Sequence, residues 1–234
     1  MSITLVVMQP TVLPWAGYFN LMHLADDFVF HDDVQLEKRS WQTRNRLLLG
    51  GKAEWISLPI EHSGEKQKIS ETRVILDKKW TDKVHRDFRR HYGAHPYFGA
   101  AAEVMDTFLN CTTDNLARRN ESAIRLVAER LQLQTRIHRA SELGIEGVRS
   151  ERLIAFCRHF RADTYLSPLG SADYLQADRF AERAPASLAF QNYAVPPYSQ
   201  ASCKEFVSHL SIVDVVANLG WEQSRDYVIG TRIN

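Results

Sequence analysis

Ile3-Thr-Leu-Val-Val-Met-Gln-Pro-Thr-Val-Leu-Pro-Trp-Ala-Gly-Tyr-Phe19 is the stretch on which the fold turns. Residues 3–7 form a nearly continuous apolar run, as expected of a central strand covered on both faces. Pro10 and Pro14 then stop any ladder or helix, because each lacks an N–H and fixes φ. Over 15–25 the apolar residues Trp15, Phe19, Met22, Leu24 and Ala25 resume at helical spacing. Asp26 and Asp27 end that run, and Phe28-Val29-Phe30 is a second short apolar run. The unit reads strand–helix–strand, which needs a crossover and a parallel pairing.

Further along, residues 32–46 read as a polar loop with a turn of helix, and Gly50-Gly51 as a turn. Strands are expected at 55–60 and 72–76. The segment between them, with Ser63, Gly64, Lys66 and Lys68, reads as a mobile loop. Helices are expected over 80–92, 97–110 and 114–133, the last capped by Thr113. Then come strands at 135–138, 164–167 and 187–190, a helix at 151–160 capped by Ser150, and another at 173–183. Ser211 and Asp214 have capping-box spacing, and Gly220 stands where a glycine would end the helix they start. Alternating strands and helices predict an α/β, Rossmann-like parallel sheet core with a helical insertion. The division is 1–77, 78–133 and 134–234, the middle part being the insertion.

A net charge of +1 gives no global attraction for nucleic acid or an acidic membrane, so any anion site has to be local. Cys111, Cys157 and Cys203 are far apart and odd in number, as free thiols in a reducing cytosol would be. No segment has the roughly 20 apolar residues of a membrane span, and the first apolar run is too short for a signal peptide. The expected location is the cytoplasm.

In an open parallel sheet, ligands bind beyond the carboxyl ends of the strands. Four segments lie there: 8–18, 31–35, 167–174 and 191–193. Trp15, Gly17 and Tyr18 stand where a helix begins, a position suited to phosphate. Gly17 serves equally well as a packing glycine beside a core tryptophan. Gln9 and Gln35 are placed to position a substrate, and Ser167, Asp173 and Tyr174 line the turn and helix start after the strand at 164–167. Asp33, with Asp32 or His31, is the candidate proton acceptor; paired aspartates are also common turn residues. Lys38, Arg39, Arg44 and Arg46 make a local cationic patch in which Trp41 can stack on a ring. The same pattern fits a solvated basic loop, or a single-stranded nucleic acid. A short patch on a near-neutral chain favours a nucleotide-sized ligand over a polymer. The remaining histidines are scattered, and no metal-ligand spacing, Walker loop, Gly-x-Ser-x-Gly or Gly-x-Gly-x-x-Gly is present.

Several of these residues carry a resemblance. Gln9-Pro10, Pro14-Trp15-x-Gly17-Tyr18-Phe19, Asp32-Asp33-Val34-Gln35, Lys38-Arg39-Ser40-Trp41-Gln42, Arg44-Asn45-Arg46, Trp55-Ile56-Ser57-Leu58-Pro59, Thr164-Tyr165-Leu166-Ser167, Tyr198-x-Gln200 and Leu210-Ser211-Ile212-x-Asp214 resemble the WbqC-like family. Met8 stands where that family often has histidine, and Pro168 where glycine is usual. The family is associated with bacterial O-antigen and related surface-polysaccharide gene clusters. The resemblance therefore implies a transferase acting on a nucleotide-linked amino sugar, acylating or aminoacylating its amine. The candidate co-substrates are ATP or an activated acyl or aminoacyl donor, and a homo-oligomer is left open. The layout is also similar to the nucleotidylyltransferase superfamily, whose His-x-Gly-His quartet would correspond to Trp15-Ala16-Gly17-Tyr18, with both histidines replaced. The alternatives are a non-catalytic nucleotide- or glycan-binding accessory protein and, ranked last, an RNA-binding protein.

Overall fold

A computed structural model describes residues 2–62, 64, 66–201 and 203–230. The chain runs through β1 (Thr4–Met8), α1 (Ala16–Leu24) and β2 (Asp27–Phe30), then β3 (Arg44–Leu49) and β4 (Lys52–Ser57). Three helices follow, α2 (Lys78–Tyr92), α3 (Phe98–Leu109) and α4 (Leu116–Arg130). The remainder is β5 (Arg136–Arg139), α5 (Ala140–Leu143), α6 (Arg149–Phe160), β6 (Thr164–Ser167), α7 (Ala172–Ala177), α8 (Phe180–Arg183), β7 (Ser187–Phe190) and α9 (Ile212–Ile229).

Five strands form one parallel sheet in the order β5-β2-β1-β6-β7. The chain builds outward from β1 on one side, then returns to place β6 on the other. The strand order thus reverses between β1 and β6, the crevice at which a Rossmann-like sheet offers a ligand its place. The apolar run of β1 follows from burial on both sides. Val6 belongs to a core with Phe28, Phe30, α1, α3, α4 and α9. Leu5 and Val7 belong to a second core with α6, α7 and α8. The helices of 78–133 share the first of these cores with the sheet and α9.

Several local expectations are corrected. The polar stretch 32–46 does not stay a loop: Arg44 and Arg46 lie in β3, paired antiparallel with β4. Gly50 and Gly51 are the two residues between the paired Leu49 and Lys52, at φ of 61° and 77°. A two-residue hairpin turn requires such values, and glycine adopts them without a Cβ penalty. Residues 72–76 form no strand and make only isolated bridges, Ile60 to Val74 and Arg73 to Asn115. Ser63, quoted for the preceding loop, lies outside the described residues. Asn115, not Thr113, caps α4 by accepting from the Arg118 N–H at 3.0 Å. Ser150 sits inside α6 rather than before it, and its hydroxyl donates to Asp178 at 2.7 Å. The helix expected over 173–183 is broken by Arg179 at φ 52° into α7 and α8.

Ser211 does cap α9, accepting from the Val213 N–H. Asp214 takes no part in that box. Its carboxylate is buried and accepts from the hydroxyls of Tyr92 (2.9 Å) and Tyr198 (2.5 Å) and from Gln200 (3.0 Å). Burial raises its pKa, and the two tyrosine bonds oppose the rise. Gly220 does end the helix that Ser211 starts, its φ of 70° and ψ of 180° being non-helical, and a second helical segment follows directly across the kink as far as Ile229. A Cβ at Gly220 would lie 2.7 Å from the Tyr97 ring. Gly220→Ala is therefore expected to lower the unfolding free energy by about 1–3 kcal/mol, read as a lower urea midpoint, since it combines an unfavourable φ with a clash. An unchanged midpoint in urea would show that the kink is dispensable.

Candidate functional site

The loop after β1 cannot satisfy its own backbone, because Pro10 and Pro14 interrupt it and Leu13 is held at φ 42°. Side chains from distant elements do so instead. Asn45 donates to the carbonyls of Val12 (2.8 Å) and Leu13 (2.7 Å). Asn120 of α4 donates to those of Pro10 (3.0 Å) and Gln42 (2.9 Å). The Val12 N–H donates to the Trp41 carbonyl, and Gln42 Nε2 to Gln9 Oε1 at 2.6 Å. The two polar strand-end segments of the sequence are thus stitched into one wall.

Along this wall lies a cavity of about 940 Å³, between the segment after β2, the hairpin and the chain at Leu58, Ile60, His62, Gly64 and Gln67. Gln35, Lys38, Arg39 and Arg44 line it, with Leu58 and His62. Among the described residues, the side chains of Lys38, Arg39 and Arg44 make no hydrogen bond or ion pair. Beside it, on one face of the hairpin, Arg44 lies 4.1 Å from the Trp55 ring centroid. Trp41 and Trp55 are 5.2 Å apart between centroids, and Arg46 is 5.9 Å from each. Both tryptophans stay nearly half exposed, at 47% and 46%. Register explains the grouping: Arg46 stands opposite Trp55 and Arg44 opposite Ser57, so their side chains share one face.

The proposed proton-acceptor cluster is a separate arrangement at the end of β2. Asp33 accepts a two-pronged pair from Arg152 of α6, at 2.8 and 2.5 Å. His31 Nε2 lies 3.4 Å from the same guanidinium. Burial, then the Arg152 charge, lower the His31 pKa to about 4, so its ring is neutral near pH 7. Asp32 is buried and fixed by Ser141, whose N–H and hydroxyl donate to it at 3.0 and 2.6 Å. It therefore anchors the turn after β5.

The other expected residues do not gather at the cavity. Gly17 is a packing glycine, because a Cβ there would lie 2.2 Å from the Trp15 ring. Trp15 itself packs against Tyr193 and His209. Tyr18 is buried and donates its hydroxyl to the Gln9 carbonyl at 3.1 Å. The Ser167 and Ser171 hydroxyls are 2.6 Å apart, and Ser171 donates to the Pro168 carbonyl. Asp173 is exposed on α7, and Tyr174 packs into the second core.

The chain belongs to the WbqC-like family. That family's model matches residues 9–226. The chain is also 28% identical over 224 residues to the uncharacterized protein Rv1507c of Mycobacterium tuberculosis (strain ATCC 25618 / H37Rv), covering 95% of this chain and 96% of that one. No solved structure matches. Membership of the WbqC-like family supports a role in polysaccharide biosynthesis. Among the described residues, no helix is long and apolar enough to cross a membrane.

Three residues of the site region, Arg152, Trp55 and Glu121, were not expected as site residues from the sequence, although Trp55 stands in the family-like segment 55–59. Arg152 sits among the apolar residues of α6, and its only signal was a cation four residues before Phe156, on the face that meets the sheet. Trp55 is the second half of the exposed ring pair. Glu121 of α4 is 1% exposed, accepts from Arg139 at 2.6 Å and leaves Oε1 without a hydrogen-bond partner among the described residues. Burial pushes its carboxyl up to about 7, with Arg125 and Arg118 opposing the rise and Asp32 and Glu142 adding to it.

The low pKa of His31 has a consequence for stability. A histidine in the unfolded chain takes up a proton near pH 6.5, whereas folded His31 resists it to about 4. Its contribution is full above pH 6.5 and is lost as pH falls through 4. His31→Gln is expected to flatten the fall in unfolding free energy over that window, by no more than about 3 kcal/mol at pH 4. Parallel acid slopes for variant and parent would show that His31 titrates normally.

Proposed function

We propose that the protein is a transferase of surface-polysaccharide biosynthesis that acts on a nucleotide-linked amino sugar and places an acyl or aminoacyl group on its amine. One observation carries this reading: the cavity of about 940 Å³ with Lys38, Arg39 and Arg44 on its wall, whose side chains pair with no carboxylate among the described residues. Its volume suits a ligand of nucleotide-sugar size. Lys38 and Arg39, whose side chains have no partner among the described residues, and Arg44, stacked on Trp55, suit a diphosphate, which Arg binds as a planar fork and Lys as a point charge. Family membership supports the pathway.

Asp33 is the proton acceptor in this reading. It stands two residues before Gln35 of the cavity wall, and Arg152 fixes the direction of its carboxylate. The substrate amine attacks the activated carbonyl directly: the C–N bond forms, the amine's proton passes to Asp33, and the bond from the carbonyl carbon to the activating group breaks, that group leaving with the bonding electrons. Gln9, held by Gln42, and Gln35 orient the substrate. The donor is an acyl or aminoacyl group activated beforehand, or activated with ATP. The reaction is assigned to the cytoplasm, in keeping with free Cys111, Cys157 and Cys203.

Thermal-shift measurement against nucleotide-linked sugars tests the binding half. The melting midpoint should rise with ligand concentration, and Lys38→Ala with Arg39→Ala should weaken the effect by about tenfold or more while leaving the unliganded midpoint nearly unchanged. No shift with any nucleotide-linked sugar counts against the reading. Asp33→Asn should abolish amide formation while the variant still binds the sugar; full turnover would remove Asp33 from the chemistry.

A further inference from the structure

Helix α2 carries a feature that the nucleotide-sugar site does not use. Lys79, Lys83, Arg86 and Arg90 stand at i, i+4, i+7 and i+11, so one face of the helix presents four exposed cations over about 17 Å. Lys83 pairs with Asp87, and Lys78 on the flank pairs with Asp82. Lys79, Arg86 and Arg90 make no hydrogen bond or ion pair among the described residues. The apolar face of the helix is already taken, with Phe88 and Tyr92 buried in the core, so the stripe has no hydrophobic side left to insert into a bilayer.

The stripe is continuous with the ring pair. Trp55 and Trp80 line the same shallow groove as Lys83 and Asp87, between the hairpin and α2. On the far side of Trp55 lie Trp41, Arg44 and Arg46. Half-exposed tryptophans between two groups of cations are what a single-stranded nucleic acid needs. The backbone follows the positive charge, and unpaired bases stack on the rings regardless of sequence. A duplex keeps its base faces covered and cannot use the tryptophans. A near-neutral total charge conceals this, because the +1 is a sum over the whole chain and the stripe is local.

We infer that the surface formed by the α2 stripe and the Trp41–Trp55 pair binds a single-stranded nucleic-acid segment, with Lys79, Arg86 and Arg90 on its phosphates and the tryptophans under its bases. The test is fluorescence anisotropy of a labelled single-stranded RNA of mixed sequence on the full chain, over a range of salt. Binding should weaken as salt rises and should exceed binding to a duplex of the same length. The triple variant Lys79→Ala, Arg86→Ala, Arg90→Ala should reduce the log–log salt slope by about 2, at about 0.7 for each lost phosphate contact. Trp55→Ala should weaken binding roughly tenfold at all salts. The α2 variant alters no residue of the cavity wall, so nucleotide-sugar binding measured on it separates the two readings. Absence of RNA binding at low salt, an unchanged slope in the triple variant, or binding of anionic phospholipid vesicles in place of RNA would each overturn the inference.

Discussion

The carboxamides of Asn45 and Asn120 hold the functional end of the molecule together. A loop with two prolines and a left-handed leucine directly after the central strand leaves carbonyls that no ladder can take. Asn45 and Asn120 take the carbonyls of Pro10, Val12, Leu13 and Gln42. The Pro14 carbonyl accepts from the Ile212 N–H at the start of α9, and the Arg46 carbonyl from the Ser211 N–H. Four elements distant in sequence are thereby fixed to one another at the end of β1. Each buried carbonyl would be destabilising by about 1–3 kcal/mol if left unpaired. The hairpin, α4 and α9 are therefore tied to the sheet, and the cavity wall inherits its shape from them.

The doubly covered sheet was legible in the sequence because burial on both faces leaves no polar positions to confuse the reading. β1, β2, β6 and β7 fall within a residue of where their apolar runs stand. The hairpin was less legible, since Arg44 and Arg46 occupy alternate positions of β3 and their charge hides the period-two pattern. Gly220 shows the limit of a local signal. The glycine marked where the first helix breaks, but nothing local signalled that a second helical segment resumes straight after it.

The site divides in the same way. Lys38, Arg39 and Arg44 were recognisable as a group because they are close in sequence, and they do surround one space. Asp32 and Asp33 looked alike as neighbours, yet they point to different partners, Ser141 and Arg152, each more than a hundred positions away. Both lie in the turn after β2, where the chain changes direction from one residue to the next. No spacing within residues 31–35 could have told which carboxylate becomes an anchor and which an ion pair.

The strand order also sets a schedule for assembly. β1 pairs with β2 by residue 30 but with β6 only at Thr4 opposite Thr164. During synthesis one edge of the central strand therefore stays open until some two-thirds of the chain has emerged. Closing a pairing of such range is slow compared with helix formation. For that interval an apolar strand with unpaired N–H and C=O groups is exposed to other nascent chains. The most hydrophobic element of the fold is thus the first made and among the last completed, and the yield of folded protein depends on what shields it meanwhile.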